Sequence, residues 1–280
     1  MRSLSYILFF ALFLLVSCSS DEDELLVKDE LEGLVKLQTL ENDTHLVELY
    51  TASGLLEEGY NEIFLRIRKQ GEQTFLQNVQ MSWMPMMHMT SKEHSAPHSG
   101  IHKVQGKESL YSGYLIFQMP ENASESWSLT LNYSIGGENY SLNDGIAVRQ
   151  SAHRRVSVFT GTDGIKYILA LVGPREPKVA SNDAMLALYR MNGMMDFSLV
   201  NGFTIKIDPR MPAMDNHSSP NNADLVQGQG DVFYYGKINL TMTGYWKINL
   251  QLLNETGEVL KGEPVTETNE GSSLFLELEF

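Results

Sequence analysis

Hydrophobic and polar residues alternate in many short runs of the chain, and this pattern predicts half-buried β-strands. The clearest runs lie at residues 63–67, 114–117, 127–133, 203–207, 237–240 and 246–250. Between the runs are clusters of glycine and asparagine, such as 136–137, 143–145 and Gly257, which are typical of turns. Their spacing is close to that of β-sandwich proteins. The sequence therefore predicts an all-β fold.

Two segments of the chain resemble each other internally. The sequence Met-Pro-Met-Met at 84–87 aligns with Met-Pro-Ala-Met at 211–214, an offset of 127 residues. At an offset of 123, further matches are His94 with His217, Pro97 with Pro220, Gly113 with Gly236, Phe117 with Leu240 and Met119 with Met242, and Trp127 matches Trp246 at 119. An offset that changes only in loops indicates a duplicated domain. We therefore predict two tandem immunoglobulin-like β-sandwich domains, at 39–150 and 151–280.

The N-terminal segment has the pattern of a lipoprotein signal peptide. Arg2 precedes an apolar run at 6–16, and small residues lead into Cys18, the single cysteine of the chain. The run is well short of the ~20 residues that a membrane-spanning helix needs. We predict a signal peptide at 1–17, lipidation of Cys18 and an acidic tether at 18–38. The membrane partner is then reached through the lipid, and no disulfide framework is possible.

The charge of the chain limits its partners. The net charge is −14, and four consecutive acidic residues stand at 21–24. This acidic run resembles the surface-export tag of lipoproteins in the Bacteroidota. It implies an outer-membrane protein, on either the cell surface or the periplasmic face. An acidic surface argues against binding nucleic acid.

Methionine and histidine are concentrated in two segments. Residues 81–89 contain five methionines and one histidine, and the second segment runs from 211 to 217. Thioether sulfur and imidazole nitrogen are ligands that suit Cu(I), and methionine needs no deprotonation to bind it. The sequence therefore predicts copper sites, with Cu(I) favoured. The candidate ligands are Met84, Met87, His88, His94 and Met119 in the first copy, and Met211, Met214, His217 and Met242 in the second.

Methionine is also a common filler of hydrophobic cores, so each group needs its own interpretation. The methionines at 84–89 depart from strand alternation and lead into a polar, histidine-bearing segment, which favours a turn that carries ligands. Core packing, and not metal binding, is predicted for Met185, Met191, Met194 and Met195. His98 and His102 have no counterpart in the second copy, and they are weaker candidates.

Each copy has a Met-Pro-x-Met turn, a histidine, an aromatic-glycine strand, a methionine and a tryptophan strand. This order resembles the YtkA-like and FixH-like domain of exported proteins, over about 50 residues per copy. The resemblance implies a small immunoglobulin-like sandwich that handles copper, in some cases near the assembly of respiratory oxidase. The second copy, 208–246, matches more closely. The first has a longer loop, and Pro120 stands where a tight turn is expected.

Two classes of function follow. The first is a membrane-anchored lipoprotein that binds copper and passes it to a copper-accepting protein, or that gives copper tolerance. The second is a cell-surface interaction module that binds protein or glycan, with the methionine segments as a contact patch. A glycan surface would draw on the aromatic residues Tyr111, Tyr114, Trp127, Tyr234 and Tyr235. We predict no enzymatic activity, because no phosphate loop, nucleophile elbow or zinc-protease motif is present.

Overall fold

The computed structural model describes residues 29–228 and 230–280. The predicted signal peptide, the lipidation site Cys18 and the first part of the predicted tether lie outside the described residues. The chain is in a turn at 30–33, and the first strand begins at Val35, inside the predicted tether. Within the described part of the chain, no helix is long and apolar enough to cross a membrane.

The described part of the N-terminal half contains eleven strands, of two to eleven residues. They are β1 (Val35–Glu41), β2 (His45–Thr51), β3 (Leu56–Glu57), β4 (Gly59–Lys69), β5 (Gln80–His88), β6 (Glu93–His94), β7 (His102–Lys103), β8 (Tyr111–Phe117), β9 (Ser126–Ile135), β10 (Glu138–Ile146) and β11 (Val148–Arg149). Strands β3 and β11 pair in a short parallel ladder. Of the two larger sheets, one has the order β1-β2-β4-β8-β7, and the other has the order β10-β9-β5-β6. Their inward faces enclose one buried core that includes Trp83 and Trp127.

The C-terminal half has the remaining strands. They are β12 (Val156–Thr160), β13 (Lys166–Gly173), β14 (Ala180–Met191), β15 (Phe197–Leu199), β16 (Thr204–Met211), β17 (His217–Ser218), β18 (Ala223–Val226), β19 (Tyr234–Leu240), β20 (Tyr245–Leu253), β21 (Val259–Lys261) and β22 (Leu274–Glu279). They form one sheet whose main path is β12-β13-β14-β19-β18-β16-β20-β21, with β17 paired to β16 and β22 paired to β20. A second core around Trp246 fills the space it encloses. The predicted all-β sandwich class is confirmed.

Strand order is the same in the two halves. The order β1-β2-β4-β8-β7 corresponds to β12-β13-β14-β19-β18, and β10-β9-β5-β6 corresponds to β22-β20-β16-β17. The difference is that β16 also pairs with β18 in the second half, which joins the two layers into one sheet. No strand lies between Arg149 and Val156, where the two halves meet.

A glycine occupies the same place in β8 and β19. A Cβ atom on Gly113 would lie 2.7 Å from the carbonyl oxygen of Gly100, and one on Gly236 would lie 2.5 Å from that of Ala223. Backbone cannot move aside as a flexible side chain can. We expect Gly113→Ala and Gly236→Ala each to lower the free energy of unfolding by about 1–3 kcal/mol, measured by urea titration. The matched control is Gly136→Ala at a turn with open space around it. Its loss should come from its positive φ alone.

The two halves meet through a third buried apolar cluster. Ile116 of β8 packs there with residues of β13 and β14, among them Ile168 and Ala187. At its edge the hydroxyl groups of Tyr114 and Tyr189 lie 2.6 Å apart. Burial raises the pKa of both phenols, so both stay neutral at physiological pH. The halves are therefore joined by a buried apolar contact and not only by the linking segment.

Candidate metal centre

The segment 84–87, predicted as a turn, is part of strand β5. Side chains alternate across this strand: Met87 is fully buried, whereas Met84 is 37% exposed on the other face. Residues three apart in a strand point to opposite faces, so Met84 and Met87 cannot serve one metal ion. The prediction that these methionines depart from strand alternation was wrong.

Three of the predicted ligands of the first half converge on Trp127. Met87 is the cross-strand partner both of His94 on β6 and of Trp127 on β9. The His94 ring lies edge-on to the indole, with 5.4 Å between ring centroids. Met119 accepts a hydrogen bond of 3.0 Å from Trp127 Nε1 at its carbonyl oxygen and packs against the same core. Met87 and His94 are therefore neighbours of Trp127 through strand pairing and a ring contact, and Met119 is its neighbour through a backbone hydrogen bond.

The hydrogen bond of His94 decides which ring nitrogen can bind a metal. Its Nδ1 lies 2.8 Å from the carbonyl oxygen of Ser95. A carbonyl oxygen only accepts, so Nδ1 carries the proton and Nε2 of the neutral ring keeps a free lone pair. A backbone carbonyl that fixes the tautomer in this way is the usual second partner of a metal-binding histidine.

His88 is placed apart from this cluster. It is on β5 next to Met87 and so points to the outer face, where Nδ1 lies 2.7 Å from Glu93 Oε1 and Nε2 lies 2.8 Å from Ser128 Oγ. Both ring nitrogens are thus engaged. Met84 is on the same outer face, with its sulfur 3.3 Å from Ser95 Oγ. The structure therefore separates His88 and Met84 from Met87, His94 and Met119.

The second half repeats part of this arrangement near Trp246, but His217 is exposed, whereas His94 is buried. Met211, at the end of β16, is the cross-strand partner of His217 on β17. Trp246 Nε1 donates a hydrogen bond of 3.1 Å to the carbonyl oxygen of Met242. Both methionines pack against the core that contains Trp246. Met214 lies in a short 3-10 turn over Pro212–Met214 and is 54% exposed, whereas Met211 is 5% exposed.

The strand registers correct the alignment of the two copies. Pro85 pairs with Leu129, and Pro209 pairs with Ile248. The equivalent residues are therefore Pro85 with Pro209 and Met87 with Met211, an offset of 124 instead of 127. The second methionine of the Met-Pro-x-Met motif, Met214, lies beyond the strand and has no structural equivalent at 84–87.

The side chains of the two clusters determine which kind of metal ion could bind there. Across residues 29–228 and 230–280, no group of three His, Cys, Asp or Glu side chains is placed to hold a metal ion. A zinc site built from protein side chains would need such a group. What each cluster offers instead is one imidazole and two thioethers, which fit Cu(I). The residues present thus fit the ion that the sequence predicts.

The methionines and histidines outside the two clusters differ in burial and contacts. Met185 and Met191 are partly buried, but Met194 and Met195 are 36% and 45% exposed, so the core prediction for these two was wrong. His45 is buried edge-on against two tyrosine rings, and burial lowers its pKa. His98 and His102 have no place in either cluster; His98 instead bonds the carbonyl oxygen of Ala96 through Nδ1.

Sequence reasoning missed the tryptophans as the centres of both clusters. The sequence aligned Trp127 with Trp246 and made Trp127 a candidate for a glycan surface, but it placed neither tryptophan next to the predicted ligands. It also missed Ser95, whose hydroxyl bonds the carbonyl oxygen of Pro85 at 2.8 Å and whose amide bonds that of Met194 at 2.9 Å. A lone serine in a loop gives no sequence signal for such a role.

No protein-family model matches the chain, and none of the curated proteins compared with it is similar. The resemblance to YtkA-like and FixH-like domains therefore stays a prediction. Among solved structures, the chain is similar to "the conserved domain protein from Bacillus anthracis", with 10% identity, coverage of 90% of this chain and 93% of that chain, and a TM-score of 0.28. A similarity at this level carries no information about function.

Proposed function

We propose that this chain is an exported lipoprotein that binds Cu(I) at two sites, one in each half, and delivers the metal or confers copper tolerance. The observation that carries the proposal is the repetition of one constellation. In each half, a methionine within the last two residues of a strand is the cross-strand partner of a histidine, and a tryptophan of the same core donates a hydrogen bond to the carbonyl oxygen of a second methionine. Core packing alone explains the methionines but not the histidine repeated at the same position.

The ligands of the first site are Met87, His94 through Nε2, and Met119; those of the second are Met211, His217 and Met242. When bound, the metal would be a cargo held by soft ligands without release of protons. His217 is exposed, whereas His94 is 7% exposed. The second site is thus the more open one, from which exchange with a copper-accepting protein is expected to be faster.

Attachment to the membrane belongs to the same proposal. Lipid on Cys18 would hold the chain at the outer membrane, on the cell surface or its periplasmic face. The acidic residues that follow would keep the described halves away from anionic lipid headgroups. A copper-accepting protein could then approach either half.

A Cu(I) titration against a chromophoric competitor tests the proposal. The protein should take up two equivalents, and the double variant Met211→Leu/His217→Ala should take up one. Leucine keeps the packing volume of methionine but removes the sulfur, so the fold should remain while the site is lost. The corresponding first-half variant, Met87→Leu/His94→Ala, should also retain one equivalent.

A matched control uses the same residue types outside the clusters. Met185→Leu/His102→Ala changes one partly buried methionine and one exposed histidine. It should still bind two equivalents. If the unmodified protein does not compete for copper, or if the control loses as much metal as the site variants, the proposed function is wrong.

A protein contact is the second candidate function, favoured by one observation. Met84 of the first half and Met194 of the second both bond Ser95, through the thioether and the backbone carbonyl, respectively. Met84, Met194 and Met195 are all exposed. Exposed methionines can pack against many partners. Replacing these three by serine should weaken partner binding and leave copper uptake unchanged.

A further inference from the structure

The outer face of strands β5, β9 and β10 carries no charged side chain along three consecutive rows. From the strand registers, the rows are Gln80-Ser134-Asn139, Ser82-Asn132-Ser141 and Met84-Thr130-Asn143. The exposed acidic residues of β10 are Glu138 and Asp144, and their positions alternate with those of Asn139, Ser141 and Asn143, so they belong to the opposite face of the strand. At the chain's overall 20% of charged residues, nine positions would carry about two charged side chains on average, and these nine carry none.

The second half provides an internal comparison. On β16, β20 and β22, the rows equivalent to these carry Lys206 and Asp208, and the next row carries Arg210, Lys247 and Glu277. Asp208 and Arg210 form an ion pair of 2.8 Å there. The fold therefore does not require an uncharged surface at this place, and the two copies differ in this property of the surface.

The two faces also differ in how they are covered. In the second half, a long connection between β20 and β22 folds back, and the amide of Ser272 bonds Asn249 Oδ1 at 2.9 Å. Asn249 is only 2% exposed as a result. In the first half, β9 and β10 are joined by a tight turn at Gly136 and Gly137. The equivalent face is therefore left open.

A shallow groove of about 500 Å³ lies over the first two of these rows. Its lining includes the polar side chains of Gln80, Ser82, Asn132, Ser134, Asn139 and Ser141. Amide and hydroxyl groups both donate and accept hydrogen bonds. In the described part of the chain, no side-chain hydrogen bond engages these six groups, so their capacity is available to a ligand.

We propose that this face binds a neutral glycan. Sugar hydroxyl groups are donors and acceptors at once, which matches a row of amides and hydroxyls. A phosphorylated or strongly charged ligand would find no ion-pair partner on the three rows, and an apolar partner would leave their polar groups without hydrogen bonds. The flat array across three strands suits an extended polysaccharide better than a compact small molecule. This inference does not depend on copper binding.

Affinity electrophoresis of the whole protein provides the test. Native gels would contain soluble starch, dextran, xyloglucan, galactomannan or mixed-linkage β-glucan, with polygalacturonate as the charged comparison. Migration is expressed relative to a gel without polysaccharide, which removes the effect of the protein's own charge. At least one neutral polysaccharide should retard the protein, and polygalacturonate should not.

Two variants locate the binding on the face. Ser82→Lys installs the residue that the second half has at this position, Lys206, and should weaken binding ten-fold or more. Asn132→Ala removes an amide and should weaken it about two- to ten-fold, as expected for one net hydrogen bond. Both positions are exposed, so folding should be retained. The matched control, Lys206→Ser, changes the equivalent position of the second half and should bind as the unmodified protein does.

Three results would overturn the proposal. The first is that none of the five neutral polysaccharides retards the protein. The second is that both variants are retarded as strongly as the unmodified protein. The third is that sedimentation shows dimers that Ser82→Lys dissociates, because a second copy of the chain would then occupy the face. In every case, Cu(I) stoichiometry of the Ser82→Lys variant should be unchanged, which separates this test from the test of the metal sites.

Discussion

Replacing Trp246 with alanine is expected to lower the free energy of unfolding of the second half by about 3–5 kcal/mol. The side chain is fully buried and contributes to the largest cluster of that half. Its removal leaves a cavity and also leaves the carbonyl oxygen of Met242 without the indole donor. Urea titration followed by far-UV circular dichroism measures the loss.

The same variant tests how strongly the two halves are coupled. The chain has three tryptophans, and the other two, Trp83 and Trp127, belong to the first core. Fluorescence of Trp246→Ala therefore reports the first half alone. Since Ile116 is buried against β13 and β14, the fluorescence midpoint should fall together with the circular dichroism midpoint. Two separate transitions would show that the halves unfold independently.

Trp246→Phe is the matched control for this prediction. Phenylalanine retains much of the apolar volume but has no N–H group. Its cost should be about 1–2 kcal/mol, clearly less than that of alanine. A loss below about 1 kcal/mol for Trp246→Ala would contradict the assignment of this residue as the centre of the second core.

The strands were predictable where one face is apolar and the other polar. The runs at 63–67 and 246–250 lie inside β4 and β20, because local alternation records burial on one side of a sheet. The same rule fails at 84–87. There Met84 and Met86 on the outer face are as apolar as Pro85 and Met87 on the inner face. The side chains alternate in burial along this segment, but the residues on the two faces are equally hydrophobic.

Turn chemistry misled the prediction at 143–145. Asparagine, aspartate and glycine are typical of turns, yet these residues continue β10 and pair with β9 at 128–130. The partner strand supplies the backbone hydrogen bonds, and this tertiary context overrides the local preference. Of the aromatic residues considered for a glycan surface, Trp127 and Tyr234 are buried, whereas Tyr235 is 43% exposed.

Only part of the candidate metal site could be predicted from the sequence. Residue type made Met87, His94 and Met119 candidates, since thioether and imidazole groups are ligands that suit Cu(I). Which of the nine candidates share a site depends on strand register and on contacts between distant segments. The pairing of Met87 with His94, and the edge contact of His94 with Trp127, are of this kind. No local pattern records them.

The second prediction with a large effect concerns Met87. Two substitutions of this residue distinguish a packing role from a role as a metal ligand. Met87 is 0% exposed, so Met87→Ala should cost about 2–5 kcal/mol through the cavity it creates. Met87→Leu preserves the volume and should cost less than about 1.5 kcal/mol. Met87→Leu also removes the sulfur atom, whether or not Met87 is a copper ligand.

If Met87 is a copper ligand, Met87→Leu should remain folded and lose the first of two Cu(I) equivalents, as measured by competition titration of the folded protein. If it is only a core residue, Met87→Leu should bind copper as the unmodified protein does. The matched control is Met84→Leu on the outer face, which should change neither stability nor metal uptake, since its sulfur is on the side of β5 opposite the cluster. Loss of copper from Met84→Leu but not from Met87→Leu would move the site to the exposed face, where Met84 contacts Ser95.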